Sequence, residues 1–223
     1  MNKFRYKGNS FRGNSHTENQ DDFLIIDEKE FIVAAIFDGV TMASNPRNGV
    51  NAAMQFILDN FSGYIGNGTM KLDEMMAAAN KSILKTGIPG SFTTYAIAGF
   101  FKDNSGGLYY SNLGDSRIYL YDGEALFQCT TDDILYPGSN FLTKCLGSND
   151  LSDEDFRMEK YKGKLHTIVL ATDGCYNLWK SEPEYLLRMI TGNNFNAITS
   201  GFDNLIKGNN FDDATYIVLA PVT

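Results

Sequence analysis

The chain has 223 residues, 43% of them apolar, with 19 basic and 27 acidic side chains, a formal net charge of −8, two histidines and three cysteines. That length suits one domain with a sizeable core, and the acidic balance argues against a nucleic-acid binder. Two histidines and three cysteines leave little room for a zinc cage or for a Ser-His-Asp or Cys-His triad, so oxygen ligands are the expected chemical tools.

From the amino terminus, Met1 to Lys7 lacks the apolar stretch of a signal peptide. The first strong element is Phe31-Ile-Val-Ala-Ala-Ile-Phe37, a continuous apolar run that reads as a strand buried on both faces. The same run is far too short to span a bilayer. Val50, Ala53, Met54, Ile57, Leu58 and Phe61 then fall on one helical stripe, and Leu72, Met75, Met76, Ala79 and Ile83 form a second. Thr94–Phe101, Gly107–Leu113 and Arg117–Tyr121 read as strands, with hairpin-turn chemistry at Asp103–Gly107 and Asp122-Gly123 leading into Glu124–Gln128. Thr167–Ala171 and Ala214–Ala220 are further strands. Between them Ser181 and Glu184 resemble a capping box for a helix through Leu187, and Phe195, Ile198, Phe202, Leu205 and Ile206 mark another helix. Hairpin-linked strands imply antiparallel pairing, and grouped helices imply cover on the outer faces. An α+β sandwich therefore fits better than a doubly wound sheet. With no linker or repeat, residues 1–223 read as a single domain. Cys129, Cys145 and Cys175 form no C-x-x-C pair and fit a reducing cytoplasm.

The informative feature is where aspartates stand relative to these strands. Asp38 follows Phe31–Phe37 directly and Asp173 follows Thr167–Ala171 after one threonine, each with glycine next. Asp115 ends the strand Gly107–Leu113, and Asp212 precedes the last strand. One Asp-Gly pair is more often a simple turn. Four strand-end acids can instead meet at one edge of a sheet, where they repel and raise one another's pKa unless a cation neutralises them. Oxygen-only ligation points to Mg²⁺ or Mn²⁺. Glycine after the acid would leave a carbonyl accessible and permit close approach of substrate. From the residues alone the reading stops at a divalent-metal site, most naturally used on phosphate esters.

Asn19-Gln-Asp21, Phe37-Asp-Gly39, Asn112-Leu-Gly-Asp-Ser-Arg117, Leu142-Thr-Lys-Cys-Leu-Gly147, Ala171-Thr-Asp-Gly174 and Asp212-Asp-Ala-Thr215 follow one another in order. This ordered set resembles the metal-dependent protein phosphatases of the protein phosphatase 2C (PPM) family, in a short bacterial form, from about residue 8 to 220. The resemblance implies a four-layer α-β-β-α sandwich with two central antiparallel sheets. It implies hydrolysis of phosphoserine or phosphothreonine in proteins through water activated by two or three Mn²⁺ or Mg²⁺ ions. Asp38, Asp173 and Asp212 would be catalytic metal ligands, with the Gly39 carbonyl on one ion, Asp115 helping to hold a third, Asp21 in the outer shell, and Gln20 on the second. Gln20 stands where many members have glutamate, which implies a weaker second site.

His16 occupies the position of the family's phosphate-gripping arginine, so His16 or Arg12 would meet the substrate phosphate. Val40 stands where animal members carry a histidine. Asp213 replaces the usual asparagine and would add charge near the first metal. A flap-like segment spans about 130–165, including Tyr136-Pro-Gly-Ser139 and the acidic stretch from Asp150 to Asp155, read as a solvated loop or helix start. The expected setting is a monomeric cytoplasmic enzyme acting on a phosphorylated protein substrate of a Ser/Thr kinase, binding neither nucleic acid nor membrane. The alternatives are a catalytically weak or inactive scaffold module, favoured by His16, Gln20 and the stretch Val40–Ser44, and a small phosphate-ester hydrolase.

Overall fold

The computed structural model describes residues 3–103, 106–191 and 194–222. In chain order its elements are β1 (Phe4–Phe11), β2 (Asp22–Asp27), β3 (Phe31–Gly39), α1 (Pro46–Asn60), β4 (Ile65–Gly66), β5 (Thr69–Met70), α2 (Leu72–Lys85), β6 (Thr93–Phe101), β7 (Leu108–Leu113), β8 (Arg117–Tyr121), β9 (Leu126–Gln128), β10 (Glu159–Tyr161), β11 (Thr167–Ala171), α3 (Asp173–Tyr176), α4 (Pro183–Ile190), α5 (Phe195–Ile206) and β12 (Ala214–Pro221). One sheet runs β1-β12-β11-β8-β9 and the other β10-β7-β6-β3-β2; β4 and β5 form a separate ribbon. Every pairing is antiparallel.

Three apolar layers hold four structural ones together. Because successive strand side chains alternate between faces, Phe31, Val33, Ala35 and Phe37 pack against Val50, Ala53, Ile57, Leu72, Met75 and Met76 of α1 and α2. Ile32, Ala34 and Ile36 of the same strand meet Ile118, Leu120, Ile168, Leu170, Ile217 and Leu219 between the sheets. On the far side Val169, Ala171, Tyr216 and Val218 face Ile198, Phe202 and Ile206 of α5, with Phe202 stacked on Tyr216 at 4.7 Å between ring centroids. The result is the α-β-β-α sandwich, with helices on both outer faces.

The structure also differs from the sequence reading at several places. β1, β2 and β10 were not expected: all three lie at sheet edges and are mostly part-exposed, so they lack the buried run that marks a central strand. The Ser181–Glu184 capping box does not form. Pro183 opens α4, which makes Glu182 the N-cap residue, without a side-chain cap. Leu58, assigned to the buried stripe of α1, is exposed. Of the turn expected at Asp103–Gly107, residues 104 and 105 lie outside the described residues. Residues 129–158 carry no helix or strand beyond a single 3₁₀ turn at Asp153–Asp155, where Ser152 and Asp155 form a capping box. Among the described residues no helix is long and apolar enough to cross a membrane.

Candidate active site

The two-residue period of β3 decides where its acid goes. Asp38 continues the face of Ile32, Ala34 and Ile36, so it enters the open end of the layer between the sheets. It pairs in register with Thr94 of β6, and its carbonyl accepts a hydrogen bond from the Thr93 hydroxyl at 2.9 Å. Asp173 opens α3 just beyond β11, Asp115 sits in the turn from β7 to β8, and Asp212 lies just before β12. These four carboxylates line one cavity of about 210 Å³ with Val40, Thr41, Met42, Thr94, Asn140 and Leu142. A larger groove of about 330 Å³, between the end of α2 and residues 87–92, has no titratable side chain in its lining. It offers no comparable chemistry.

The acids strain one another electrostatically. Burial pushes the Asp38 carboxyl well above the usual carboxylate range, and the charges of Asp21, Asp173, Asp115 and Asp212 push it further. Asp173 is pushed up to about 7, first by burial and then by Asp115 and Asp212, against relief from the Gly174 amide and a hydrogen bond with the Asp38 side chain. Asp115 is raised by burial and by Asp132, with partial relief from Arg117 and Lys180. Such a group shares protons or holds cations. Its donors are all oxygens, which fits Mg²⁺ or Mn²⁺. Gln20 adds a buried side-chain oxygen with no hydrogen-bond partner, and its backbone packs against Gly39. The residues present therefore fit a divalent-metal centre.

Asp21 lies one layer deeper. It is buried, accepts a hydrogen bond from the Thr172 hydroxyl at 2.8 Å and does not line the cavity. Burial raises its pKa well above the usual range, the Thr172 bond opposes the shift, and Asp213 and Asp173 add to it. The two motif glycines serve close approach of the chain to itself. A Cβ on Gly174 would stand 2.1 Å from the Asp213 carbonyl oxygen, and one on Gly39 would stand 2.8 Å from the Gln20 carbonyl oxygen.

Asp213 does not spend its charge on the cavity. Its carboxylate accepts the Gly13 amide at 2.7 Å, the Gln20 amide at 2.7 Å and His16 Nδ1 at 2.9 Å, fastening the loop of residues 13–20 to the start of β12. His16 is thereby held beside Asp212, with Nε2 3.4 Å from Asp212 Oδ1. Arg12 is exposed, and its guanidinium donates to the Thr17 carbonyl at 3.0 Å.

Two participants escaped the sequence reading. Thr94 is found only through the β3–β6 register. Asp132 holds Arg117 through Nε at 3.0 Å and Nη2 at 2.6 Å, while that guanidinium lies 3.8 Å over the Tyr176 ring. Nothing local in the sequence marks Asp132 as that partner.

A family model described as protein phosphatase 2C matches residues 12–199. No curated protein matches the chain. Among solved structures, a bacterial serine phosphatase superposes with a TM-score of 0.83 at 16% identity, covering 99% of this chain and 98% of the other. The serine/threonine phosphatase Stp1 from Staphylococcus aureus gives 0.78 at 15% identity, covering 100% and 96%. The catalytic domain of the serine/threonine protein phosphatase PstP, solved with two manganese ions, gives 0.75 at 17% identity, covering 99% of each chain. At these identities the likeness is one of fold.

The electrostatics predict a pH-dependent response to metal. With Asp173 near 7 when folded and at about 3.9 when unfolded, the folded chain binds more protons between these values. This group's contribution to metal-free stability therefore falls as pH rises from about 4 to about 7. A cation bound to the ionised cluster opposes that loss. Mn²⁺ is expected to raise the melting temperature more at about pH 7.5 than at about pH 5, measured by scanning calorimetry. An equal shift at both would contradict the reading.

Proposed function

The chain belongs to the protein phosphatase 2C family, and we propose that it is a metal-dependent serine/threonine protein phosphatase, hydrolysing phosphoserine and phosphothreonine in proteins. The observation that carries this reading is the convergence of Asp38, Asp115, Asp173 and Asp212 on one cavity, with the pKa values of Asp38, Asp115 and Asp173 raised. A scaffold module has no physical reason to keep mutually repelling, partly desolvated acids.

In this reading Asp38, Asp173 and Asp212 hold the divalent ions with the Gly39 carbonyl, Asp115 joins Asp173 at a further ion, and Gln20 serves the second. When bound, the ions supply an activated water and offset charge on the phosphoryl oxygens. The chain's own part is to place the carboxylates. The strand period aims Asp38 inward, and Thr172 fixes Asp21 behind it. The Asp213 carboxylate sets the Gln20 amide. Val40 lines the cavity without a titratable group, so that position offers no proton to the leaving oxygen. We assign Arg12 to the substrate phosphate because its guanidinium is permanently charged and exposed, with its hydrogen bond going to the Thr17 carbonyl.

The cavity mouth favours a protein over a small ester. Met42 is 95% exposed, Leu135 63%, Tyr136 60% and Phe141 71%. Asn140 and Leu142, on either side of Phe141, line the cavity with Met42, and the Leu135 amide donates to the Phe141 carbonyl at 3.0 Å. A small phosphate ester would leave these large apolar side chains in water, whereas a protein surface would cover them. The setting we assign is a monomer in the cytoplasm, opposing a Ser/Thr kinase on a shared phosphoprotein.

The pure protein should hydrolyse p-nitrophenyl phosphate and a phosphothreonine peptide with Mn²⁺ and lose both activities to chelator. Asp38→Asn and Asp173→Asn should each lower kcat/KM by at least about a hundredfold, and Arg12→Ala should raise KM. Turnover that is indifferent to metal and to both Asp substitutions would sink the reading. Replacing Leu135, Tyr136 and Phe141 together by serine should raise KM for a phosphoprotein and leave that for p-nitrophenyl phosphate unchanged. The same change for both substrates would return the small-ester alternative.

A further inference from the structure

We propose that His16 is itself a metal ligand, so that this centre contains one nitrogen donor and favours Mn²⁺ or another first-row transition ion over Mg²⁺. The inference rests on the metal-centre reading above and adds a residue to it.

The orientation of the ring carries the first step. Both Asp213 oxygens already accept backbone amides, Oδ1 from Gly13 and Oδ2 from Gln20, and Oδ2 also faces His16 Nδ1 at 2.9 Å. With acceptors on the carboxylate side, Nδ1 carries the hydrogen. In the neutral ring that leaves Nε2 as a lone pair. A buried carboxylate behind Nδ1 is the usual support of a metal-ligating histidine, because it fixes both tautomer and ring plane.

The second step is what Nε2 faces. The Asp212 Oδ1 atom stands 3.4 Å away. That is beyond the range of about 2.7–3.2 Å for a good N–H···O hydrogen bond. Two ligand atoms on one ion with bonds of about 2.1 Å stand about 3.0 Å apart at the right angle of an octahedral site and about 3.4 Å apart at a tetrahedral angle, so the pair lies near the spacing of a shared ion. Ligand atoms of His16, Asp212 and Asp213 all lie within 4.8 Å of one another. Asp212 also lines the cavity with Asp38, Asp115 and Asp173, so an ion held by Nε2 and Asp212 belongs to the same centre. Imidazole suits first-row transition ions such as Fe²⁺, Ni²⁺ and Zn²⁺ best; Mn²⁺, the weakest binder of that series, still takes nitrogen more readily than Mg²⁺, which keeps to oxygen and water.

The histidine count makes the test clean, since His166 is the other histidine. It sits beside Thr167 at the opposite end of β11 from Asp173, edge-on to Tyr121. Electron spin-echo measurements on the wild-type chain loaded with Mn²⁺ alone should show ¹⁴N coupling. The coupling should change to ¹⁵N with labelled histidine, vanish in His16→Ala and persist in His166→Ala. By calorimetry, His16→Ala and Asp213→Asn should weaken Mn²⁺ binding about 10–100-fold and Mg²⁺ binding by less than about threefold. Mn²⁺ bound without nitrogen coupling, with an affinity unchanged in His16→Ala, would overturn this proposal and leave the phosphatase reading standing. A wild-type chain that binds neither ion would overturn both. The wild-type spectrum requires no variant to fold.

Discussion

The placement of like charges at the end of an apolar layer governs the rest of this structure. Ile32, Ala34 and Ile36 on one sheet and Ile168, Leu170, Ile217 and Leu219 on the other close the inter-sheet space. Strand alternation then leaves Asp38 no exit except the open end of that layer. Asp173 and Asp212 arrive there because β11 and β12 are antiparallel neighbours, so the end of one strand lies beside the start of the other. Asp115 arrives through the turn into β8, which also pairs with β11. The same hydrophobic contacts that stabilise the sandwich thus create an electrostatic cost at its edge.

The surroundings of the site read as ways to tolerate that cost without spending the cavity's own carboxylates. Asp21 adds to that cost from behind the cavity, and the Thr172 hydroxyl bond offsets part of its own share. Asp213 fastens the 13–20 loop with its oxygens, and Gly174 lets the backbones close over one another. Arg117, adjacent in the motif, is bound by Asp132 and stacked on Tyr176, so it relieves Asp115 only in part. Proton sharing, as between Asp38 and Asp173, or a bound cation would relieve the rest. The same edge carries the exposed apolar segment around Phe141, flanked by the cavity-lining Asn140 and Leu142.

Much of this was legible in the sequence, for identifiable reasons. Buried central strands leave long apolar runs, so β3, β11 and β12 and the acids at their ends stood out. The edge strands β1, β2 and β10 did not, since a part-exposed strand carries a mixed pattern. Ser181 and Glu184 had capping spacing, but Pro183 between them set the helix start. His16 could be located by its motif position. Its partner could not, because Asp213 lies 197 residues away and meets it only in the folded chain. Thr94 was hidden for the same reason, its role following from pairing with Asp38.

The central claim is that the clustered, partly buried carboxylates cost stability until a cation neutralises them, and Asp38→Asn tests it most directly by equilibrium urea unfolding with and without Mn²⁺. Removing one charge should make the metal-free protein more stable than the wild type, while the stabilisation by Mn²⁺ should largely disappear. A metal-free Asp38→Asn protein no more stable than wild type, with an undiminished response to Mn²⁺, would contradict the account.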